Sequence, residues 1–240
     1  ELAGAGFDVV HVHTPFLAHY AGRRLARLLG VPLVETYHTL FEEYLFHYVP
    51  VAPRPFMRYV ARAFSRRQCA EADGIVVPSS AMLARLRAYG VTTPAAVIPT
   101  GIDPVDFGGG DGARFRARHG IDPQRPVLLY VGRVAHEKNI DFLLAMLPRI
   151  RTRHPDVLLV IAGEGPAEAS LQRQVAELGL KANVRFVGYL DRRTELLDCY
   201  RAADLFVFAS RTETQGLVLL EAMPMGLPVV ALAVMGTADV

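Results

Sequence analysis

Lysine is almost absent from this sequence: of 26 basic residues only Lys138 and Lys181 are lysines, and arginine supplies the rest. A skew of that kind follows base composition as readily as function. With a formal net charge of only +2, it gives no ground for a nucleic-acid partner. Cysteine is equally scarce. Cys69 and Cys199 stand far apart and in no metal-ligand spacing, which reads as free thiols in a reducing compartment. Nor is there an unbroken apolar run. The most apolar region, Leu217 to Met235, is interrupted by Glu221, Pro224 and Pro228, so it reads as core and not as a membrane span. No signal or transit peptide is visible. The sequence has no initiator methionine, begins one short turn before a strand pattern and stops just after another. A fragment of a longer protein is expected.

What is present is an alternation. At 240 residues and 51% hydrophobic, the chain is long enough for one large or two ordinary domains with a sizeable core. Phe7 to His13, Pro32 to His38, Gly74 to Val77 and Ala96 to Ile98 have the apolar character of strands. Between them, Ala18 to Leu29 (closed by Gly30), Pro55 to Ala72 and Ala81 to Tyr89 have helical spacing. After Gly108-Gly109-Gly110-Asp111-Gly112 the pattern restarts. Val127 to Val131, Val157 to Ala162, Val184 to Val187, Leu205 to Ala209 and Pro228 to Ala231 read as strands. Asn139 to Arg151, Pro166 to Leu178, Glu195 to Ala202 and Leu217 to Met225 read as helices, the first capped by Asn139. Such alternation predicts an α/β fold of parallel βαβ units with helices on both faces. The expected organisation is a first Rossmann-like domain over 1–107, a glycine-rich linker or hinge over 108–123, and a second over 124–240, with a cleft between the two doubly wound blocks.

Two loops of the second block stand out. Leu205-Phe206-Val207-Phe208-Ala209 runs into Ser210-Arg211-Thr212-Glu213-Thr214-Gln215-Gly216 and then into helical spacing that includes Glu221. An open α/β sheet puts its ligands there, beyond a strand's carboxyl end and at a helix N-terminus. Taken alone, Glu213 could be a solvated loop residue and Glu221 a helix-surface charge. The strand Val127 to Val131 likewise leads into Gly132-Arg133-Val134-Ala135-His136-Glu137-Lys138-Asn139. Arg133 and Lys138 there form a two-cation clamp suited to a diphosphate, or else are ordinary basic residues of a surface loop.

The string from Glu213 to Glu221, followed by Ala222-Met223 and Gly226-Leu227-Pro228-Val229-Val230-Ala231, resembles the glutamate–seven residues–glutamate signature of the retaining, GT-B-type glycosyltransferases of family 4. Its wording looks most like the 1,2-diacylglycerol 3-glucosyltransferase branch. The loop from Gly132 to Asn139 matches the same family's pattern. The resemblance spans nearly the whole chain and implies a GT-B fold truncated in both domains. It implies a hexosyltransferase taking a nucleotide-sugar donor, expected to be UDP-glucose, and working without a cofactor or metal. Arg133 and Lys138 would hold the donor diphosphate, Glu213 the sugar hydroxyls and Glu221 the ribose. The backbone around Gly216, Leu217 and Val218 would cap the phosphate, and His38 would face the transferred sugar. The donor site would also include Gly132, and the base is expected near Phe186-Val187-Gly188-Tyr189. Gly163-Glu164-Gly165-Pro166 resembles the family's glycine turn, though a plain strand–helix connection explains it equally well. No Asp-x-Asp triplet occurs, which fits charge neutralisation by side chains. The family's usual small residues are replaced by Pro224-Met225, which is expected to bend that helix.

On the acceptor side, Tyr44 and His47 lie in an aromatic, titratable stretch that resembles the diacylglycerol branch. Arg54, Arg58, Arg62 and Arg66 follow at strict four-residue spacing, and eight arginines between Arg23 and Arg67 face only Glu35, Glu42 and Glu43. A basic amphipathic helix of this kind suits an anionic membrane surface and a lipid acceptor. A solvated face on a helix packed against the sheet is the competing reading. The expected location is the cytoplasm, peripheral on the inner face of the plasma membrane. A soluble or polysaccharide acceptor, or a non-catalytic sugar-nucleotide-binding module, are the alternatives.

Overall fold

Strands that are apolar throughout must be covered on both faces, and that requirement organises the second half of this chain. The structure, a computed structural model, describes residues 6–42 and 53–240. The chain divides between Thr100 and Gly101 into two units. In the first unit β1 (Val10–Val12), β2 (Leu33–Thr36), β3 (Gly74–Val77) and β4 (Ala95–Val97) form a parallel sheet in the order β1-β2-β3-β4. Helices α1 (Leu17–Leu29), α2 (Arg54–Cys69) and α3 (Ser80–Ala88) connect them. Gly30 closes α1 in the left-handed conformation, and Ser79 caps α3 by accepting from the Met82 N–H. The buried His19 is paired: it lies between Glu35 (2.9 Å) and Glu71 (3.1 Å), and Arg23 reaches Glu71 at 2.7 Å. Burial pushes the Glu35 carboxyl above the usual range.

The second unit holds β5 (Val127–Val131), β6 (Leu158–Ala162), β7 (Val184–Gly188), β8 (Leu205–Phe208) and β9 (Val229–Ala231), all parallel, in the order β7-β6-β5-β8-β9. All five residues of β5 and of β6 are buried. Helices α4 (Gly112–Arg118), α5 (Ile140–Arg151), α6 (Glu168–Glu177), α7 (Glu195–Ala202) and α8 (Leu217–Ala222) complete it. Its core is continuous, with Tyr130, Leu144, Leu159, Tyr200 and Phe206 fully or almost fully buried.

The residues expected as a linker are largely built into this unit. Phe115 and Ile121 are buried in its core. Asp111 caps α4 by accepting from the Arg114 N–H, and the Arg114 guanidinium grips Asp198 on α7 with two bonds of 2.7 Å. Two of the glycines serve close approach: a side chain at Gly110 would collide with the Leu197 carbonyl, and one at Gly112 with the Arg201 carbonyl. Helix α8 ends at Ala222 instead of bending, because Pro224 brings no N–H to continue the ladder. Leu144, fully buried on α5, sets a stability test. Leu144→Ala should destabilise this unit by about 2–5 kcal/mol, read as a lower urea midpoint at unchanged slope.

Candidate functional site

The strand order reverses between β5 and β8. Chain running β5 to β6 to β7 winds outward on one side, and the next strand, β8, returns to the other side of β5. The loops leaving β5 and β8 therefore diverge from neighbouring strand ends and open a crevice, the place where an open α/β sheet binds ligands.

Both loops flagged by the sequence leave that point, and side chains tie them together. Asn139 takes the left-handed conformation and makes no side-chain cap on α5; its Nδ2 instead donates to the Ala209 carbonyl at 3.0 Å. That corrects the expected cap: the side chain is committed across the crevice and cannot turn back to its own helix. The Lys138 Nζ donates to Glu213 Oε1 at 2.5 Å, with both side chains mostly buried. Arg133 pairs with Glu137. Gly216, left-handed, precedes α8, so Leu217 and Val218 form its first turn.

Glu221 is 4% exposed, not a helix-surface charge. Its Oε1 accepts from Arg192 Nη2 at 2.6 Å and its Oε2 from the Tyr200 hydroxyl at 3.0 Å. Burial and the adjacent carboxylate push that hydroxyl far above the ordinary tyrosine range, so it stays a donor. Arg192 and Tyr200 were invisible to sequence reasoning, since neither lies in a motif and each meets Glu221 only through space.

A cavity of about 340 Å³ sits over the strand ends, walled by Gly132, Arg133, Glu164, Arg192, Val218 and Glu221, among others. Its size suits a small-molecule site. Lys138 and Glu213 stand outside its lining, as do Gly188, Gly216 and Leu217. The turn from Gly163 to Pro166 has a packing reason. Gly163 donates to the Gly188 carbonyl at 2.8 Å, and the Val134 N–H donates to the Glu164 carbonyl at 2.9 Å. So the turns after β5, β6 and β7 are locked backbone to backbone. Among the described residues, no group of three His, Cys, Asp or Glu is arranged to hold a metal ion.

The first unit holds the other candidates separately. His38 is exposed at the carboxyl end of β2, where Tyr37 shares a 2.6 Å hydrogen bond with Ser65 of α2. Tyr44 and His47 lie outside the described residues, as does the Arg54 side chain. Arg58 and Arg66 are exposed on α2 beside Phe56 (60%) and Tyr59 (70%). Arg62 differs from the expected stripe: it donates to the buried Glu42 at 2.9 Å and lies 5.5 Å from the Tyr89 ring centroid. No helix among the described residues is long and apolar enough to cross a membrane.

Because a side chain at Gly163 would drive into the Gly132 carbonyl, and its φ of 129° disfavours any L-residue, Gly163→Ala should displace the loop carrying Arg133. A loss of at least about 2 kcal/mol in thermal unfolding is expected, whereas the same change at the exposed Gly179 position should cost less.

The model of glycosyl transferases group 1 matches residues 111–240, and that of glycosyltransferase family 4 matches residues 1–106. An alpha-monoglucosyldiacylglycerol synthase of Streptococcus pneumoniae is 34% identical over 93% of this chain and 51% of its own length. The chain thus spans about half the length of the curated relatives it matches. Among solved structures, the sucrose-phosphate synthase of Thermosynechococcus elongatus superposes with a TM-score of 0.77 at 28% identity, over 98% of this chain and 58% of that one. Anabaena HepE, solved with UDP and glucose, gives 0.80 at 21% identity, over 96% and 61%. The two parallel sheets are those of the GT-B architecture, and the chain belongs to the group 1 and family 4 glycosyltransferases.

Proposed function

We propose that the protein moves a hexose, glucose from UDP-glucose, to a lipid hydroxyl such as that of diacylglycerol, with retention at the anomeric carbon. The observation that carries this reading is the placement of Arg133, Lys138 and Glu213 on two neighbouring loops at the switch point, with Glu221 on the helix that follows the second loop. In the proposed arrangement Arg133 and Lys138 take the diphosphate, helped by the backbone N–H groups of Leu217 and Val218. Glu213 accepts from hydroxyls of the sugar. Glu221, fixed by Arg192 and Tyr200, accepts from the ribose, and the base lies toward Gly188 and Tyr189.

In the reaction the bond from the anomeric carbon to the diphosphate oxygen breaks while the acceptor oxygen bonds to that carbon on the same face. The acceptor's proton passes to the leaving phosphate oxygen. Negative charge grows on the diphosphate, and two fixed cations there stabilise it most when the bond is nearly broken. His38, Tyr44 and His47 are assigned to the acceptor side.

Support for the donor comes from HepE, solved with UDP and glucose, and for the acceptor from the name of the pneumococcal relative. The exposed Arg58, Arg66, Phe56 and Tyr59 suit an anionic membrane surface, and peripheral attachment at the cytoplasmic face is proposed with them. A soluble acceptor is the second reading. The internal pairing of Arg62 with Glu42 favours it, because one charge of the stripe is already compensated, and a relative named sucrose-phosphate synthase accompanies it.

The test is transfer from radiolabelled UDP-glucose to diacylglycerol in anionic vesicles by the full-length protein. Labelled glycolipid should form, and Glu213→Gln and Lys138→Ala should each lower the rate by about 10²-fold or more. Release of UDP into water without glycolipid, abolished by the same variants, would keep the donor site and discard the lipid acceptor.

A further inference from the structure

We propose that Glu213 competes with the donor's diphosphate for Lys138, and that this competition makes the site prefer a sugar-bearing nucleotide over the bare nucleoside diphosphate that the reaction leaves behind. The inference rests on the donor-site reading of Lys138 and Glu213 given above.

The Lys138 ammonium already has an anion. Glu213 Oε1 lies 2.5 Å from Nζ, and the two side chains are only 15% and 16% exposed. At that burial the pair is weakly screened by salt and water. The Glu213 main chain is anchored, since its carbonyl accepts from the Gly236 N–H at 2.9 Å. Only the side chain can then yield to a second anion. Two further cations at this end of the sheet also carry acidic partners, Arg133 with Glu137 and Arg192 with Glu221. A diphosphate therefore enters a region where negative charge is already distributed among the cations it needs.

What it brings decides the outcome. A bare nucleoside diphosphate offers only acceptor oxygens at its terminal phosphate. Set on Lys138, it faces the Glu213 carboxylate as a like charge with no donor to offset the repulsion. A nucleotide bearing a sugar brings hydroxyl groups next to the same phosphate. Those hydroxyls donate to the carboxylate displaced from Lys138, and the lost ion pair is replaced by charge-assisted hydrogen bonds. The sugar-bearing nucleotide is accommodated, and the sugar-free product is pushed out as Glu213 returns to Lys138. Glu213 thereby acts as a specificity residue as well as a sugar contact.

Titration calorimetry of UDP and of UDP-glucose against the full-length protein separates the possibilities, using wild type, Glu213→Gln, Lys138→Ala and the double variant. Glu213→Gln keeps the side-chain shape and removes the charge. It should bind UDP about 5-fold tighter than wild type while binding UDP-glucose no tighter, so the preference for the sugar-bearing nucleotide collapses. In the Lys138→Ala background the same change should give no gain for UDP, because the contested cation is gone. Glu213→Ala, which deletes the charge by another route, should follow Glu213→Gln. Wild-type binding of UDP with unchanged or weaker binding in both Glu213 variants would overturn the competition and leave the donor site standing. Failure of wild type to bind either nucleotide would overturn the donor site and this inference together.

Discussion

The adjacency of β5 and β8 is the constraint on which the second unit's chemistry depends. Both strands are deeply buried, so neither can carry a charge along its length. Charge is admitted only where they end. There the reversal of strand order leaves two loops without an intervening strand, and each loop contributes partners to the other. Lys138 meets Glu213, and Asn139 reaches the Ala209 carbonyl. A cation and a carboxylate so little exposed are tolerable because they are paired. The same pairing ties the two loops together across the crevice. Behind it, the turns after β5, β6 and β7 meet backbone to backbone, which holds the cavity wall in place.

Much of this was legible in the sequence because period and composition act locally. The all-apolar runs at Val127 to Val131 and Leu205 to Ala209 could be little else than buried parallel strands, and the loops after them were the natural places for Arg133, Lys138 and Glu213. What could not be read were contacts between residues distant in the chain. Arg192 meets Glu221 across 29 positions, and His19 meets Glu71 across 52. Neither leaves a periodic trace. Glycine misled for a related reason. Gly108 to Gly112 carries the composition of a flexible connection, yet Gly112 is small because α4 presses on α7, a fact that exists only once both helices are in place. Asn139 has the local habit of a helix cap, but the Ala209 carbonyl on the next loop takes its side chain instead.

The first unit shows the same conflict between local pattern and through-space pairing. Four arginines at a helical repeat look like one continuous basic face. Arg62 breaks that continuity, because Glu42 is 3% exposed and its carboxylate cannot go without a cation. Arg62 thus contributes to fold stability although its side chain is 48% exposed, and Arg58 and Arg66 are exposed on the same helix. A membrane-facing role therefore has to be argued from the outer residues of the helix rather than from the repeat as a whole.

The near absence of lysine gives the identity of residue 138 its meaning. In a chain that uses arginine for almost every cation, a lysine opposite Glu213 is chemically distinct from what surrounds it. A guanidinium there could bind the carboxylate with two parallel hydrogen bonds in a fixed plane, as Arg114 binds Asp198. That geometry is hard to leave by degrees. An ammonium is a point charge with three rotatable donors on a flexible stem. It can begin to bind an arriving phosphate oxygen with one N–H while another still points at Glu213, so the exchange of anions need not pass through an unpaired, half-buried charge. Arg133 and Arg192 occupy more exposed positions, at 51% and 66%, where water can cover a guanidinium during exchange. The least exposed of the three cations is the one that most needs a graded handover, and it is the one that is lysine.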